Sequence, residues 1–495
     1  MADRIAGMVG PPLISVLMPV FKPDAAMLRE AIASVQAQTY PHWELCIVDD
    51  ASPGQEVRAL LTQVQGQDSR IKVAFRSENG NISAASNSAL GLVGGDWVAL
   101  MDHDDLLRDE PLFWVGTEIQ AHPDAGLIYS DEDKIDGAGA RTAPNFKPDW
   151  NPDLLRSQNY ISHLGVYRSE LLRAVGGFRE GLEGAQDHDL TLRCIERLSP
   201  AQIRHIPRVL YHWRMHAAST AASLDAKPYA IQAGERAVSE HLQRLGVVAR
   251  VDGNQQGYRV RYGLPQPAPL VSIVISTRHA HGRVAQCVAS IRARTSYPHY
   301  EVILLDNGLD DPGSLTASDA LKTDGVRVLR KPRELNFSRF NNAAVERAEG
   351  ELIALVDSSI EVMSPEWLNE MVGLAWQSDV GCVGARLWSP EMTLQHGGMI
   401  LGLGGIAGHA HRHLQAGDGG FFQRAALTQT VSAVSAACLV VRKSVYQEVG
   451  GLDETNLKIA FNDIDLCLRV RGAGYRNAWT PYAELVHHES LTRDH

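Results

Sequence analysis

Short apolar runs alternate along this chain with longer stretches in which apolar positions recur every three or four residues. Residues 14–19 form one such run, and 43–48 and 97–101 form two more. Continuous apolar runs of this length predict strands buried on both faces. After the first run, Leu28, Ile32 and Val35 fall on one side of a helical repeat, which predicts an amphipathic helix. Residues 56–64 and 84–92 also read as helices, and 71–75 as a short strand. Strand and helix in alternation predict an α/β fold with a mostly parallel, right-handed sheet. In such sheets ligands bind beyond the carboxyl ends of the strands.

The whole pattern occurs twice. Residues 15–21, SVLMPVF, return as 272–278, SIVISTR, and 39–50 return as 296–307, both at an offset of 257. Asn81 matches Asn336 and Asp102 matches Asp357, both at 255. VGGF at 175–178 matches VGGL at 449–452, and Asp187 matches Asp463 at 276. Repetition at this spacing predicts tandem copies of one domain: residues 13–225 and 270–495. Residues 229–245 read as a helix and the proline-rich 263–269 as a stiff linker, so 226–269 joins the copies. The offset rises from 255 to 276, which places about 21 extra residues in copy two, most of them in the glycine-rich 397–420.

Composition narrows the function classes. The chain is 44% hydrophobic and 21% charged with a net charge of −11, so no general affinity for nucleic acid or anionic membrane is expected. No apolar run reaches the roughly 18 residues of a membrane span, and residues 1–12 make a poor signal peptide. Six cysteines show no paired spacing, which predicts a reducing cytoplasm with neither a zinc site nor a disulfide framework.

The first candidate chemistry lies where the run at 97–101 ends in Asp102-His103-Asp104-Asp105. Carboxylates this close repel, and a hard divalent ion such as Mg²⁺ or Mn²⁺ would neutralise them while binding phosphate oxygens. A helix start capped by Asp104 or Asp105 would use the same residues. Asp49 closes the second strand in the same way. No G-x-G-x-x-G follows the first strand, which disfavours a dehydrogenase-type dinucleotide fold.

Taken in order, MPVF at 18–21, IVDDAS at 47–52, Asn81 with Ala84, Ala85 and Asn87, MDHDD at 101–105, GAQDHDL at 184–190 and YHWR at 211–214 resemble the nucleotide-sugar transferases of glycosyltransferase family 2, which have the GT-A fold. Copy two resembles the same family. The resemblance implies an α/β fold of two tandem GT-A domains. It also implies a nucleotide cleft lined by Pro19, Asp49, Asp50, Asn81 and Asp102, with Asp306 in copy two; Asp49 would accept a hydrogen bond from the base. Asp102 and Asp104 would form the D-x-D that holds Mg²⁺ or Mn²⁺ on the donor diphosphate, with Asp105 alongside and His212 approaching the same ion. Asp187 is the expected general base, although Gln186 stands where the family more often has Glu. Inversion at an anomeric carbon needs one in-line displacement, in which a carboxylate takes the acceptor proton and the metal stabilises the leaving diphosphate.

Copy two departs from that pattern. Asp306 and the base position Asp463 are kept, but of the D-x-D only Asp357 remains, followed by Ser358, Ser359 and Ile360. His487-His488-Glu489 aligns with His212-Trp213-Arg214. His396, His409, His411 and His413 read as pocket or surface residues rather than metal ligands. In copy one, 129–134 (YSDEDK) and 146–152 (FKPDWNP) read equally as pocket walls or ordinary surface loops.

The expected activity is an inverting transfer of a hexose or deoxyhexose from a nucleotide-diphospho-sugar donor to a growing surface polysaccharide or lipid-linked glycan. It would take place in the cytoplasm, with peripheral contact at the inner membrane face. Two alternatives stay open. Copy one alone is catalytic and copy two is an acceptor-binding module; or the chain is a sugar nucleotidyltransferase. The latter would want a glycine-rich basic loop after the first strand, which PVFK at 19–22 does not supply.

Overall fold

The apolar runs become parallel strands in the computed structural model, which describes residues 1–215, 228–276, 281–306, 321–322, 325–330 and 336–488. In copy one the strands are β1 (Ile14–Val20), β2 (Trp43–Asp49), β3 (Ile71–Phe75), β4 (Trp97–Leu100), β5 (Leu106–Leu107), β6 (Leu127–Ile135), β7 (Arg141–Asn145), β8 (Gly165–Arg168) and β9 (Ile203–Arg214). They form one sheet in the order β3-β2-β1-β4-β8-β6-β9-β5, with β7 beside β6. The half from β3 to β4 is parallel, β8 is antiparallel to both its neighbours, and β6 and β9 run parallel. The helices Ala25–Gln36 and Glu56–Gln67 match the apolar periodicity, burying Leu28, Ile32 and Val35, and Val57, Leu60 and Leu61. Asp24 starts the first of them by accepting the Ala26 and Met27 N–H groups, a side-chain N-cap. The helix read at 84–92 is Asn81–Leu90.

A hairpin of β10 (Ala249–Gly253) and β11 (Tyr258–Tyr262) follows the helix Pro228–Arg244, where the sequence predicted only helix and linker. Copy two then lays down β12 (Val271–Ser276), β13 (Tyr300–Asp306), β14 (Arg327–Arg330), β15 (Leu352–Asp357), β16 (Ile360–Val362) and β17 (Val380–Trp388). After these come β18 (Leu394–His396), β19 (Met399–Leu401), β20 (Ala407–His409), β21 (Gln429–Val431), β22 (Cys438–Arg442) and β23 (Arg476–His487). The sheet order is β14-β13-β12-β15-β22-β17-β23-β16, the order of copy one strand for strand. Between the copies' matching strands the offset is 253 at the start of β17 and 273 at the start of β22. The additional residues therefore fall between those strands, where β19 and β20 make a separate two-stranded sheet. By contact the chain forms two units: Met1–Asn151 with Gln158–Val247 and Val251–Tyr258, and Arg259–His495 with Pro152–Ser157 and Val248–Arg250. All six cysteines are buried thiols. Among the described residues no helix is long and apolar enough to cross a membrane.

Polar details inside the sheets are duplicated too. The Ser15 hydroxyl donates to Glu44 Oε1 at 2.7 Å and accepts the Gly95 N–H at 3.0 Å. Ser272 repeats this with Glu301 at 2.5 Å and Gly350 at 2.8 Å. Tyr40 and Tyr297 each donate to a proline carbonyl, of Pro12 and Pro269, at 2.7 Å. These bonds satisfy buried polar groups in the interior, and they explain two glycines. A Cβ on Gly95 would lie 2.5 Å from the Leu13 carbonyl oxygen, and one on Gly350 2.5 Å from the Ser272 nitrogen. Gly95→Ala and Gly350→Ala are each expected to cost about 1–3 kcal/mol in urea unfolding of the full chain; wild-type midpoints would show that the backbone yields there without strain.

Candidate active site

The carboxyl end of β2 holds Asp49 and Asp50, both buried. Asp49 accepts the Ser52 N–H on both oxygens at 3.3 Å, long bonds that leave lone pairs available. Asp50 is fully engaged by the Gly80 N–H at 3.0 Å, Asn79 Nδ2 at 3.0 Å and Arg76 Nε at 2.8 Å. Asp50 therefore fastens the turn before the helix Asn81–Leu90. Asn81 opens that helix, exposed and with φ of 64°. Pro19 is the half-buried residue near the end of β1. Asn87, another motif residue, serves the scaffold, since its amide exchanges two 2.8 Å bonds with the Phe178 backbone.

At the end of β4 the backbone turns, and Asp102, Asp104 and Asp105 follow one another. Asp105 is buried; its Oδ2 accepts the Tyr211 hydroxyl at 2.6 Å and its Oδ1 the Arg214 N–H at 2.8 Å. The same Tyr211 oxygen accepts the Asp102 N–H at 3.2 Å, and Arg214 Nε donates to the Asp104 carbonyl at 2.7 Å. Thus Tyr211 and Arg214 of β9 together fix the acid turn. Burial, then the charges of Asp102 and Asp104, push the Asp105 carboxyl well above the ordinary range. Asp102 is pushed up by burial as well; His163 offsets the shift while Asp104 and Asp187 add to it. A site where carboxylates resist ionising together suits a cation.

The acids gather a histidine. One ligand atom each of Asp102, Asp105 and His163 lie within 4.8 Å of one another, a donor set that fits a divalent ion. His212 is not brought there. Neighbours on a strand face opposite ways, and since Tyr211 reaches the acids, His212 turns to the other face. Its Nδ1 bonds Asp133 at 2.5 Å, and Asp133 also takes Arg141 Nε at 2.6 Å. The acids of 129–134 lie inside β6 rather than on a loop, and each has a partner: Asp131 meets the Lys147 N–H and His205, Glu132 meets Lys147, and Asp133 meets His212.

Asp187 stands in the first turn of the helix Gln186–Ile195. Its Oδ2 accepts Asn159 Nδ2 at 2.8 Å and its Oδ1 the His188 N–H at 2.9 Å. Its charge is felt at Asp102, and Asn159, which holds it, also accepts the Ser162 N–H at 3.4 Å, next to His163. Gln186 does not touch Asp187 and accepts the Gly184 N–H instead. Asp189, two residues on, is wholly structural. It is 0% exposed, lies between Arg179 and Arg193, and Arg193 donates at 2.7 Å to the carbonyls of Val175 and Gly177. Asp465 and Arg469 repeat this clamp on Val449 and Gly451 in copy two.

In copy two Asp306 is buried beside Arg330, at 3.3 Å. Asp357 Oδ1 accepts the Ser359 N–H at 2.9 Å and its hydroxyl at 2.6 Å. Asp463 is held by two backbone groups, the Ala436 and Ile464 N–H, each at 3.0 Å, and burial pushes its carboxyl up. The sheet register corrects one alignment. Leu106 stands opposite His212, but Ile360, which matches Asp105, stands opposite His487. His487 therefore takes the position of Trp213, and it faces the site: its Nε2 lies 3.9 Å from Asp357 Oδ1. His396 is buried, bonded through Nδ1 to His409 Nδ1 at 2.8 Å and through Nε2 to the Ser435 N–H at 3.3 Å. Asn307 and Glu489 lie outside the described residues.

The family signature described as Glycosyl transferase family 2 matches residues 15–176 and again 272–450. The chain belongs to glycosyl transferase family 2. It is 50% identical over 493 residues to an uncharacterized protein, y4gI, of Sinorhizobium fredii, covering 98% of this chain and 54% of that protein. It is 38% identical over 493 residues to the O-antigen biosynthesis protein RfbC of Myxococcus xanthus, covering 99% of this chain and 38% of that one. The chain thus spans about half the length, or less, of these curated relatives. Among solved structures, TarS of S. aureus in complex with UDP is similar at 21% identity and a TM-score of 0.37, over 46% of this chain and 65% of that one.

For this family member, sequence reasoning found the acids and singled out the segments that carry Glu132 and Lys147, but not their pairing and not His163, which meets the site only through pairing of β6, β8 and β9. The structure also separates two acids that look alike in sequence. Asp189→Ala takes the buried carboxylate from Arg193 and leaves Arg179 with Glu240 alone, and is expected to cost about 3–5 kcal/mol, whereas Asp187→Asn should cost about 1 kcal/mol or less. Urea unfolding of the full chain measures both, and equal losses would contradict the assignment of Asp189 as the structural member.

Proposed function

We propose that the chain transfers a sugar, with inversion, from a nucleotide-diphospho-sugar to a glycan acceptor, and that copy one carries the reaction. The observation behind this reading is the helix-start carboxylate Asp187, whose oxygens accept Asn159 Nδ2 and the His188 N–H, with Asn159 in turn accepting the N–H of Ser162, the residue before His163 beside Asp102. In the reaction the acceptor hydroxyl oxygen forms a bond to the anomeric carbon as the bond from that carbon to the diphosphate oxygen breaks. Asp187 takes the hydroxyl proton, and the nucleoside diphosphate leaves. A divalent ion held by Asp102, Asp104 and Asp105 would neutralise charge on the leaving diphosphate. Asp49 supports base recognition, since its oxygens keep free lone pairs. The name of the Myxococcus xanthus relative supports a surface polysaccharide as the product class, and a lipid-linked acceptor at the inner membrane face would agree with it.

One observation favours a second reading for copy two. Of the three grouped ligands of copy one it retains an acid only at Asp357, since Ile360 matches Asp105. A module that binds the growing glycan without turnover would fit those losses, and the covalent tandem would raise the local acceptor concentration.

Asp187→Asn is expected to keep donor binding and lose transfer by roughly 10²–10⁴-fold, measured as nucleoside diphosphate released with the native acceptor. Asp463→Asn should keep the transfer if copy two only binds, or stall at a distinct product if it adds a second sugar. Full activity in Asp187→Asn with loss in Asp463→Asn would reverse the roles of the copies.

A further inference from the structure

We propose that His163 is the nitrogen ligand of the divalent ion in copy one, and that His487 supplies the corresponding nitrogen in copy two. This rests on the reading that the acid turn holds such an ion. The first observation is how His163 is held. Its N–H donates to Glu132 Oε2 at 3.2 Å, and its carbonyl accepts from Lys147 Nζ. Lys147, whose side chain is 0% exposed, also donates to Glu132 at 3.1 Å and to the Ile161 carbonyl at 2.7 Å. A buried ion pair thus pins both backbone groups of one histidine. The ring is fixed as well, stacked on Tyr211 with centroids 4.4 Å apart and edge-on to Trp213 at 5.6 Å.

Secondly, this fixed ring, with its side chain 14% exposed, makes no ring hydrogen bond among the described residues. Nδ1 is buried with no hydrogen bond, and Nε2 lies 4.0 Å from Asp102 Oδ2, beyond hydrogen-bond reach. An octahedral shell with bonds of about 2.1 Å separates its ligand atoms by about 3.0–4.2 Å, so an ion fits where a hydrogen bond does not. His212, a further histidine of copy one near this strand end, spends its Nδ1 on Asp133 on the opposite face.

Copy two carries the same acid–histidine pair built from another strand. His163 precedes β8, and the register of β8 and β22 on their neighbours puts Ala437 in its place. The imidazole is lost there, and the residue matching Trp213 has become His487, 3.9 Å from Asp357. His487 Nδ1 bonds Gln395 Oε1 at 2.9 Å. That amide accepts the Nδ1 proton and turns the Nε2 lone pair towards Asp357, as outer partners of metal-bound histidines do.

The test uses the full chain and Mn²⁺ alone, with affinity from calorimetry and ligand type from pulsed EPR. Wild type should show ¹⁴N coupling to Mn²⁺. His163→Ala and the milder His163→Asn should each weaken one class of site by about 10–100-fold, and His163→Ala with His487→Ala should abolish the coupling; His212→Ala should preserve affinity and coupling. Circular dichroism and the unfolding midpoint identify any variant that fails to fold, in which case His163→Asn and His487→Ala decide. Coupling that survives the double variant, or disappears in His212→Ala, overturns the inference. Mn²⁺ bound without any ¹⁴N coupling in wild type overturns it while sparing the ion reading, whereas no Mn²⁺ uptake at all overturns both.

Discussion

The crowding of carboxylates at the end of β4 is the constraint to which the rest of copy one is fitted. Two ionised groups within 4.8 Å of one another repel by about 3 kcal/mol or more at an effective dielectric of 20. The fold bears this because β9 runs alongside and supplies what the turn needs: a hydroxyl from Tyr211, a backbone N–H and a guanidinium from Arg214. β9 is held there by its pairing with β6 and with β5, the two-residue strand that leaves the acid turn. The site is therefore stabilised by sheet pairing rather than by the acids themselves, and a cation would be drawn to charge that the scaffold has already fixed in position.

Strand pairing also explains how two copies with one topology diverge in chemistry. The Ser15–Glu44–Gly95 bonds, the Asn87 clamp and the Asp189–Arg193 clamp all reappear at Ser272, Asn342 and Asp465. None of these faces the cleft. The side chains that do face it have changed: Asp105 has become Ile360, and Trp213 has become His487. Side chains alternate along a strand, so an alignment error of one residue exchanges cleft and back face. Aligning His487 with His212 pairs like letters; the register pairs like positions.

The parallel half of each sheet was legible in the sequence because its strands are continuous apolar runs followed by amphipathic helices. The repeat, the placement of the extra residues in copy two and the acid-bearing strand ends were legible for the same reason. The antiparallel half was not. β6 carries Asp131, Glu132 and Asp133 inside the sheet, each neutralised by a residue distant in sequence, and no local pattern announces that a charged run is a buried strand. His163 was invisible on similar grounds: its significance comes from Lys147, Glu132 and Tyr211, which meet it only when β6, β8 and β9 assemble. Asp189 was legible as an acid but not as a scaffold, because its two arginine partners become apparent only in the fold.

The additional segment of copy two bears on the base as well as on the ion. β18 and β20 bring His396 and His409 together, and His396 accepts the Ser435 N–H. The next residue's N–H is the one that holds Asp463, and the carbonyl after that accepts the Asp357 N–H at 2.9 Å. A histidine pair, His396 on β18 and His409 from the additional segment, therefore braces the loop on which both remaining acids of copy two depend. In copy one the matching loop is braced by a buried ion pair, Lys147 with Glu132, and its base is held by a side-chain amide. Burial raises the Asp463 carboxyl, and the backbone N–H groups on its two oxygens offset only part of that rise. Asp187 is held instead by one side-chain amide, of Asn159, and one backbone N–H, of His188. The difference between the copies is thus carried as much by what holds each aspartate as by which aspartates remain.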